Sequence, residues 1–230
     1  TGVRKDFALD LNRATPSSST SVDGIPVGRD CSVTPLSDLT EEQRQTMELV
    51  GRQATLNGAG LQPDSSGAYH FMLPDLGKGQ SPPAAMHFDT SYRYLTFPLV
   101  IRKEVNGLAA GNADLNGKQY TVNYRCQADS GKYTKQGDVS VGAGAAASVD
   151  EVRAGASCRV WENEPGDTDN TLFTGATVQG TSVDDNSALL SNADAKTNPA
   201  ITIRKVSGTD ENRVTVANTF DQKLGAVALK

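Results

Sequence analysis

Along most of the chain, apolar and polar residues alternate in short runs bounded by Gly, Asn, Asp and Ser, the period-2 signature of half-buried strands. The clearest runs fall at residues 99–105, 119–126, 137–141, 157–162, 201–206 and 213–220. Asn106-Gly107 and Asn116-Gly117 mark turns, because both residue types reach the left-handed backbone that tight turns require. Ser207-Gly208-Thr209-Asp210 reads as a hairpin joining the last two strands. Residues 165–199 are polar and irregular, and read as long loops with one short strand at most. The exception is a helical signal over 41–53: Thr40 stands at the N-cap, Gln43 in capping-box position, and Glu41 and Glu42 in the first turn. Its plain reading is helical decoration of a β-sandwich; its sharper reading is a binding surface.

A second pattern lies over the first. Residues 21–33 read SVDGIPVGRDCSV and residues 148–160 read SVDEVRAGASCRV, with Ser, Val, Asp, Gly, Cys and Val in common at one spacing. The offset, 127 positions from Cys31 to Cys158, also relates Leu99-Val100-Ile101-Arg102-Lys103 to Ala226-Val227-Ala228-Leu229-Lys230. Two landmarks in one register predict tandem modules: 1–95 an Ig-like β module lacking its first strands, 96–222 a complete module, 223–230 the first strand of a following one. On this reading the chain is a piece of a longer protein, and the partner of Cys31 lies upstream of Thr1.

Composition narrows the class. The 230 residues suffice for one or two cored domains; aromatics are 6%, and 22 glycines suit many short strands and turns. The net charge is −5 and the Lys and Arg residues are scattered, so there is no footprint for nucleic acid. No apolar run approaches the ~20 residues of a membrane span, so no membrane insertion is expected within this chain. The cysteines number three, Cys31, Cys126 and Cys158, and the histidines two, with no C-x-x-C spacing. That argues against structural zinc and for a disulfide, hence an oxidising, extracellular setting.

Chemistry enters through facing. Leu99, Ile101 and Lys103 share one strand face; Cys158, Val160 and Glu162 share another; Val214, Val216, Asn218 and Phe220 a third. The apolar members mark the buried side, so Lys103, Glu162 and Asn218 should all point inward, which is costly unless they satisfy one another. Burial lowers a lysine pKa and raises a glutamic acid pKa. A neutral Lys103 amine could then attack the Asn218 carboxamide, with Glu162 polarising the carbonyl and shuttling the proton to leaving ammonia. The product is an intramolecular isopeptide bond, made without a cofactor. The alternative is a plain hydrogen-bonded ion-pair network, with Lys205 or Glu164 in place of one member. Tyr120, Val122, Tyr124 and Cys126 also share a face, so Cys126 and Cys158 both point inward, as a disulfide or as two buried thiols. Trp161 alternates outward. Asn112-x-Asp114-x-Asn116-Gly117 imitates a calcium loop but has Asn123, not Glu, at the twelfth position, so a turn is the better reading and no metal is expected. No nucleophile–base pair for an external substrate is visible.

VIRK (100–103), CRVWE (158–162) and VANTF (216–220), in that order and facing, resemble the Cna protein B-type repeat domains of Gram-positive surface adhesins and pilins. The cysteine pair resembles an actinobacterial branch. The resemblance covers 98–220 well and 1–94 less well. It implies an all-β, Ig-like sandwich, often locked by a Lys–Asn bond. The first module departs from the pattern: Pro35 stands where Glu162 is expected and Ser91 where Asn218 is, with Asp89 close by, so no cross-link is expected there. Lys230 fits the nucleophile of the next module. The function implied is that of a rigid stalk on a bacterial cell surface, its partners neighbouring modules of the same chain. Two alternatives are direct binding of a host matrix protein or glycan, through loop 165–199 or insertion 36–83, and an accessory module of a secreted enzyme.

Overall fold

A computed structural model describes residues 19–21, 25, 27–35, 39–73, 84–182, 185–186 and 189–225. Its strands and helices are, in order, β1 (Asp30–Val33), α1 (Glu41–Arg44), β2 (Met47–Leu56), β3 (Ala59–Leu61), β4 (Tyr69–Met72), β5 (Met86–Tyr94), β6 (Thr96–Asn106), β7 (Gln119–Ala128) and β8 (Tyr133–Gly142). There follow β9 (Ala146–Arg153), β10 (Ser157–Glu162), β11 (Thr171–Ser182), β12 (Asp185–Asn186), β13 (Leu190–Ser191), α2 (Asn192–Ala195), β14 (Ile201–Thr202) and β15 (Asn212–Gln222). The fold is all-β, and the chain divides into two compact units, Thr1–Asp38 with Gly51–Ser91, and Leu39–Val50 with Tyr92–Lys230.

In the first unit β1 pairs antiparallel with β4, and Cys31 faces Phe71 in the register. Tyr69, itself buried, meets Phe88 edge-to-face at 5.5 Å between ring centroids.

The second unit is the Ig-like sandwich. One sheet runs β14-β10-β7-β8; the other runs β12-β11-β15-β6-β9, with β13 also on β11. The inward residues of both sheets, among them Leu99, Ile101, Val122, Val160, Val178, Val214 and Val216, form one core. Beside it Ala109, Leu115, Tyr120 and Phe220 make a smaller cluster. The first and last long strands, β6 and β15, are parallel neighbours, with Val216 opposite Lys103. Gly107 ends β6 at φ +93°, and a Cβ there would stand 2.4 Å from the Phe220 carbonyl oxygen, so only glycine fits.

Several expectations need correction. The helix predicted over 41–53 stops at Arg44: the Thr40–Gln43 capping box forms, but Met47–Leu56 is a strand. Gly51 and the β-branched Thr46 and Val50 weaken the helix, and pairing with β3 and β5 takes over. The Ser207–Asp210 turn forms, yet it does not make a hairpin, because β14 pairs with β10 while β15 lies in the other sheet. Residues 171–182 are a twelve-residue strand, where the reading of 165–199 allowed one short strand at most. Its buried positions include Thr171, Gly180 and Ser182 beside Val178, so no apolar alternation announced it. β9 was hidden by a bulge: Val149 faces Leu99 and Val152 faces Phe97, so two residues, Asp150 and Glu151, oppose Pro98 alone. Pro98 offers no N–H, and Glu151 takes φ 52°; together they break the period of two.

Candidate functional site

Three long-range pairings bring the polar core residues together. Lys103 lies on β6, its backbone N–H donating to Ala145 O at 2.9 Å and its carbonyl accepting from Gly144 N at 2.9 Å. Asn218 lies on β15 between Val105 of β6 and Ala176 of β11. Glu162 is the last residue of β10, in the opposite sheet, facing Val122. All are sealed from solvent: Lys103 and Asn218 are 0% exposed and Glu162 is 1%.

The carboxylate bridges the other two. Lys103 Nζ donates to Glu162 Oε2 at 2.9 Å, and Asn218 Nδ2 donates to Glu162 Oε1 at 3.1 Å. Nζ also donates to the Val216 carbonyl at 3.4 Å and stands 4.7 Å from the centre of the Tyr120 ring. The amide of Asn218 therefore turns its nitrogen, not its carbonyl, towards Glu162. Asn218 Oδ1 and Tyr120 Oη are buried without a hydrogen-bond partner.

Electrostatics follow from enclosure. Desolvation pulls the Lys103 ammonium down from 10.5 to about 8, against the opposing pull of the Glu162 charge and hydrogen bond. Burial, then the Glu162 charge, pushes the Tyr120 phenol up, so the ring stays neutral. A lysine so placed deprotonates far more readily than one in water. Its amine then shares one carboxylate with the nitrogen of a neighbouring carboxamide. That arrangement can move a proton from nucleophile to leaving group.

Lys205 and Glu164, the substitutes that alternation allowed, are both exposed. Cys126 and Cys158 are bonded to each other and face one another across β7 and β10, on the same inward face as Glu162. Trp161 is half-buried opposite Asn123 rather than fully outward. Asn112 caps a short 3-10 turn over Ala113–Leu115, accepting from Asp114 N, while Asp114 accepts from Thr168 and Asn170; both act as loop ties. In the first unit Asp89 and Ser91 are exposed and Pro35 is half-buried. Lys230 lies outside the described residues.

A family described as a domain of unknown function, DUF5979, matches residues 99–221, more than half of the 230-residue chain. The chain belongs to the DUF5979 family. The DUF5979 match encloses Lys103, Cys126, Cys158, Glu162 and Asn218, so the whole polar cluster is internal to one family domain. No curated protein matches the chain. Among solved structures, the major pilin protein T3.2 of Streptococcus pyogenes is similar at 13% identity and TM-score 0.42, covering 87% of this chain and 69% of the pilin. A bacterial adhesin from Mobiluncus mulieris, containing intramolecular disulfide, isopeptide and ester bond cross-links, is similar at 16% identity and TM-score 0.37, covering 76% of this chain and 61% of the adhesin.

Proposed function

We propose that the DUF5979 domain is a self-locking stalk module of a bacterial cell-surface adhesin or pilus-like protein, cross-linked between Lys103 and Asn218. The observation that carries the reading is the sealed Lys103–Glu162–Asn218 cluster, with one carboxylate hydrogen-bonded to both the amine and the carboxamide nitrogen. The resemblance of VIRK, CRVWE and VANTF to Cna B-type repeats supports it.

The reaction balances without a cofactor. Lys103 gives a proton to Glu162 Oε2, and the neutral Nζ attacks Asn218 Cγ. The tetrahedral intermediate takes that proton from Glu162 onto Nδ2 and the Cγ–Nδ2 bond breaks. Glu162 then relays the surplus proton left on Nζ to the released ammonia, which departs as ammonium, and Nζ–Cγ is the new amide. Glu162 ends as it began, a proton carrier. No external substrate is turned over, so the domain is not an enzyme in the ordinary sense.

A stalk gains from this bond because of strand order. β6 and β15 are parallel neighbours, so tension applied at the start of one and the end of the other shears them apart. A covalent tie between them carries that tension through the chain instead of through hydrogen bonds. The Cys126–Cys158 disulfide adds a staple in the opposite sheet and suits an extracellular location. On this reading residues 96–222 form one module, its partners are neighbouring modules of the same chain, and Lys230 is the nucleophile of the next.

Intact-mass spectrometry under reducing conditions tests the bond directly. Loss of ammonia leaves the protein lighter than its sequence by about 17 Da, and Glu162→Ala restores the full mass. A wild-type protein at its full sequence mass overturns the cross-link.

A further inference from the structure

We propose that Asn192 is a positioning residue for the cross-linking reaction, holding Glu162 in place through its backbone; the inference rests on the Lys103–Asn218 reading above. The Asn192 side chain, 5% exposed, makes a two-point clasp on the Glu162 peptide groups. Its Oδ1 accepts from Glu162 N at 2.8 Å, and its Nδ2 donates to Glu162 O at 2.9 Å.

The register explains why a side chain is needed there. Cys126 and Cys158 lie opposite one another with Cα atoms 3.9 Å apart, the narrow kind of antiparallel pair in which N–H and C=O point away from the facing strand. Such pairs recur every second residue, so Glu162, facing Val122, also turns its N–H and C=O away from β7. On that outer side β14 reaches only Ser157 and Cys158. Four residues further along, the strand has run out of neighbour just where the catalytic carboxylate must be held. Asn192 supplies the missing donor and acceptor, as a strand would. Without it, two buried backbone groups lose their partners and β10 is free to fray from its last residue.

Asn192 is itself tied to the strand system that carries the reacting amide. Ser191 pairs with Thr177 of β11, and its hydroxyl caps α2 by accepting from Asp194 N. β11 in turn pairs with β15, where Ala176 faces Asn218. The clasp therefore links the sheet holding Asn218 to the end of the strand holding Glu162, and fixes the distance between amide and acid. The molecule contains a natural control. Asn212, 0% exposed, makes the same two-point clasp on Arg204, accepting from its N at 2.9 Å and donating to its O at 3.0 Å. It touches none of the three reacting residues.

The test follows cross-link formation in the full chain after a pulse of oxidising cell-free synthesis, by intact mass after reduction, alongside thermal midpoints. Asn192→Ala is expected to slow ammonia loss at least tenfold relative to wild type. Asn212→Ala is expected to lower the midpoint by a similar amount yet keep the rate within about twofold. Asn192→Asp, which keeps the acceptor and removes the donor, should fall between wild type and Asn192→Ala, and serves if the alanine variant does not fold. An unchanged rate in both Asn192 variants, or equal slowing by Asn212→Ala, overturns the positioning role while leaving the cross-link intact. Absence of ammonia loss from the wild type overturns the cross-link itself, and the positioning role with it.

Discussion

The motif SVDGIPVGRDCSV at 21–33 and its counterpart SVDEVRAGASCRV at 148–160 meet different fates. In the second, Val149, Val152, Cys158 and Val160 are all buried, the cysteine is bonded, and Glu162 follows into the core. In the first, Cys31 is a half-buried free thiol and Pro35 occupies the position of the acid. Among its described residues the first unit buries only Ala54, Ala68 and Tyr69 as hydrophobic core, whereas the second closes two sheets over a continuous apolar interior. Shared sequence rhythm thus places a cysteine on a strand in both units. A sealed Lys–Glu–Asn cluster forms only where a second sheet excludes water; water would restore the lysine to its ordinary pKa and solvate the acid.

Perturbing the enclosed cluster should have the largest effect. Glu162→Ala removes the proposed proton carrier and leaves Lys103 buried without its anion, a loss of about 3–5 kcal/mol before the missing cross-link is counted. Closing a loop of roughly 100 residues adds about 4–5 kcal/mol on chain-entropy grounds. Denaturant unfolding of the second unit should therefore show a fall of at least ~5 kcal/mol, whereas Pro35→Ala in the first unit should shift stability by less than ~1 kcal/mol. Comparable losses for the two substitutions would erase the contrast between the units.

Next in size is the disulfide. Its cysteines are separated by 32 positions, and replacing both Cys126 and Cys158 by alanine should cost about 3–4 kcal/mol by the same measurement. The ~17 Da mass deficit should persist, since neither sulfur touches the reacting atoms.

Titration gives a third effect, on the order of 3 kcal/mol. In Asn218→Ala the amine of Lys103 stays free. Below about pH 8 it is charged in both folded and unfolded chains, and the full penalty of burying that charge is present. Between about 8 and 10.5 the unfolded chain binds more protons than the folded one, so stability climbs with pH, and above 10.5 the penalty is gone. Urea midpoints of Asn218→Ala against Lys103→Met with Asn218→Ala, taken across this window, isolate the slope. Parallel curves would mean that Lys103 is not desolvated. The smallest effect belongs to Cys31→Ser, expected within about 0.5 kcal/mol of wild type, because the thiol forms no disulfide and a serine hydroxyl can keep its exposed hydrogen bond to the Arg29 carbonyl.

Alternation alone made the inward facing of Lys103, Glu162 and Asn218 legible, because each sits two or four residues from buried valines, leucine, isoleucine or cysteine on its own strand. The same rule failed wherever the period was interrupted or the inward side chains were small. β9 carries a bulge opposite Pro98, and β11 turns Thr171, Gly180 and Ser182 inward. Asn192 gave no signal at all. An asparagine in a polar stretch looks like any turn residue until the backbone it clasps, thirty positions away, is in view.

What the sequence by itself determined was local: strand faces, turn positions, the capping box at Thr40, and the residue types from which a cross-link could be made. Only the tertiary structure decided which of them meet. It buried Lys103 and exposed Lys205, chose Glu162 over Glu164, set β6 beside β15 in parallel, and completed the end of β10 with a side chain. The physical reason is range. Facing follows from the two-residue repeat of a strand, whereas the pKa of an amine and the reach of a carboxylate depend on residues far apart in sequence that share one dry volume.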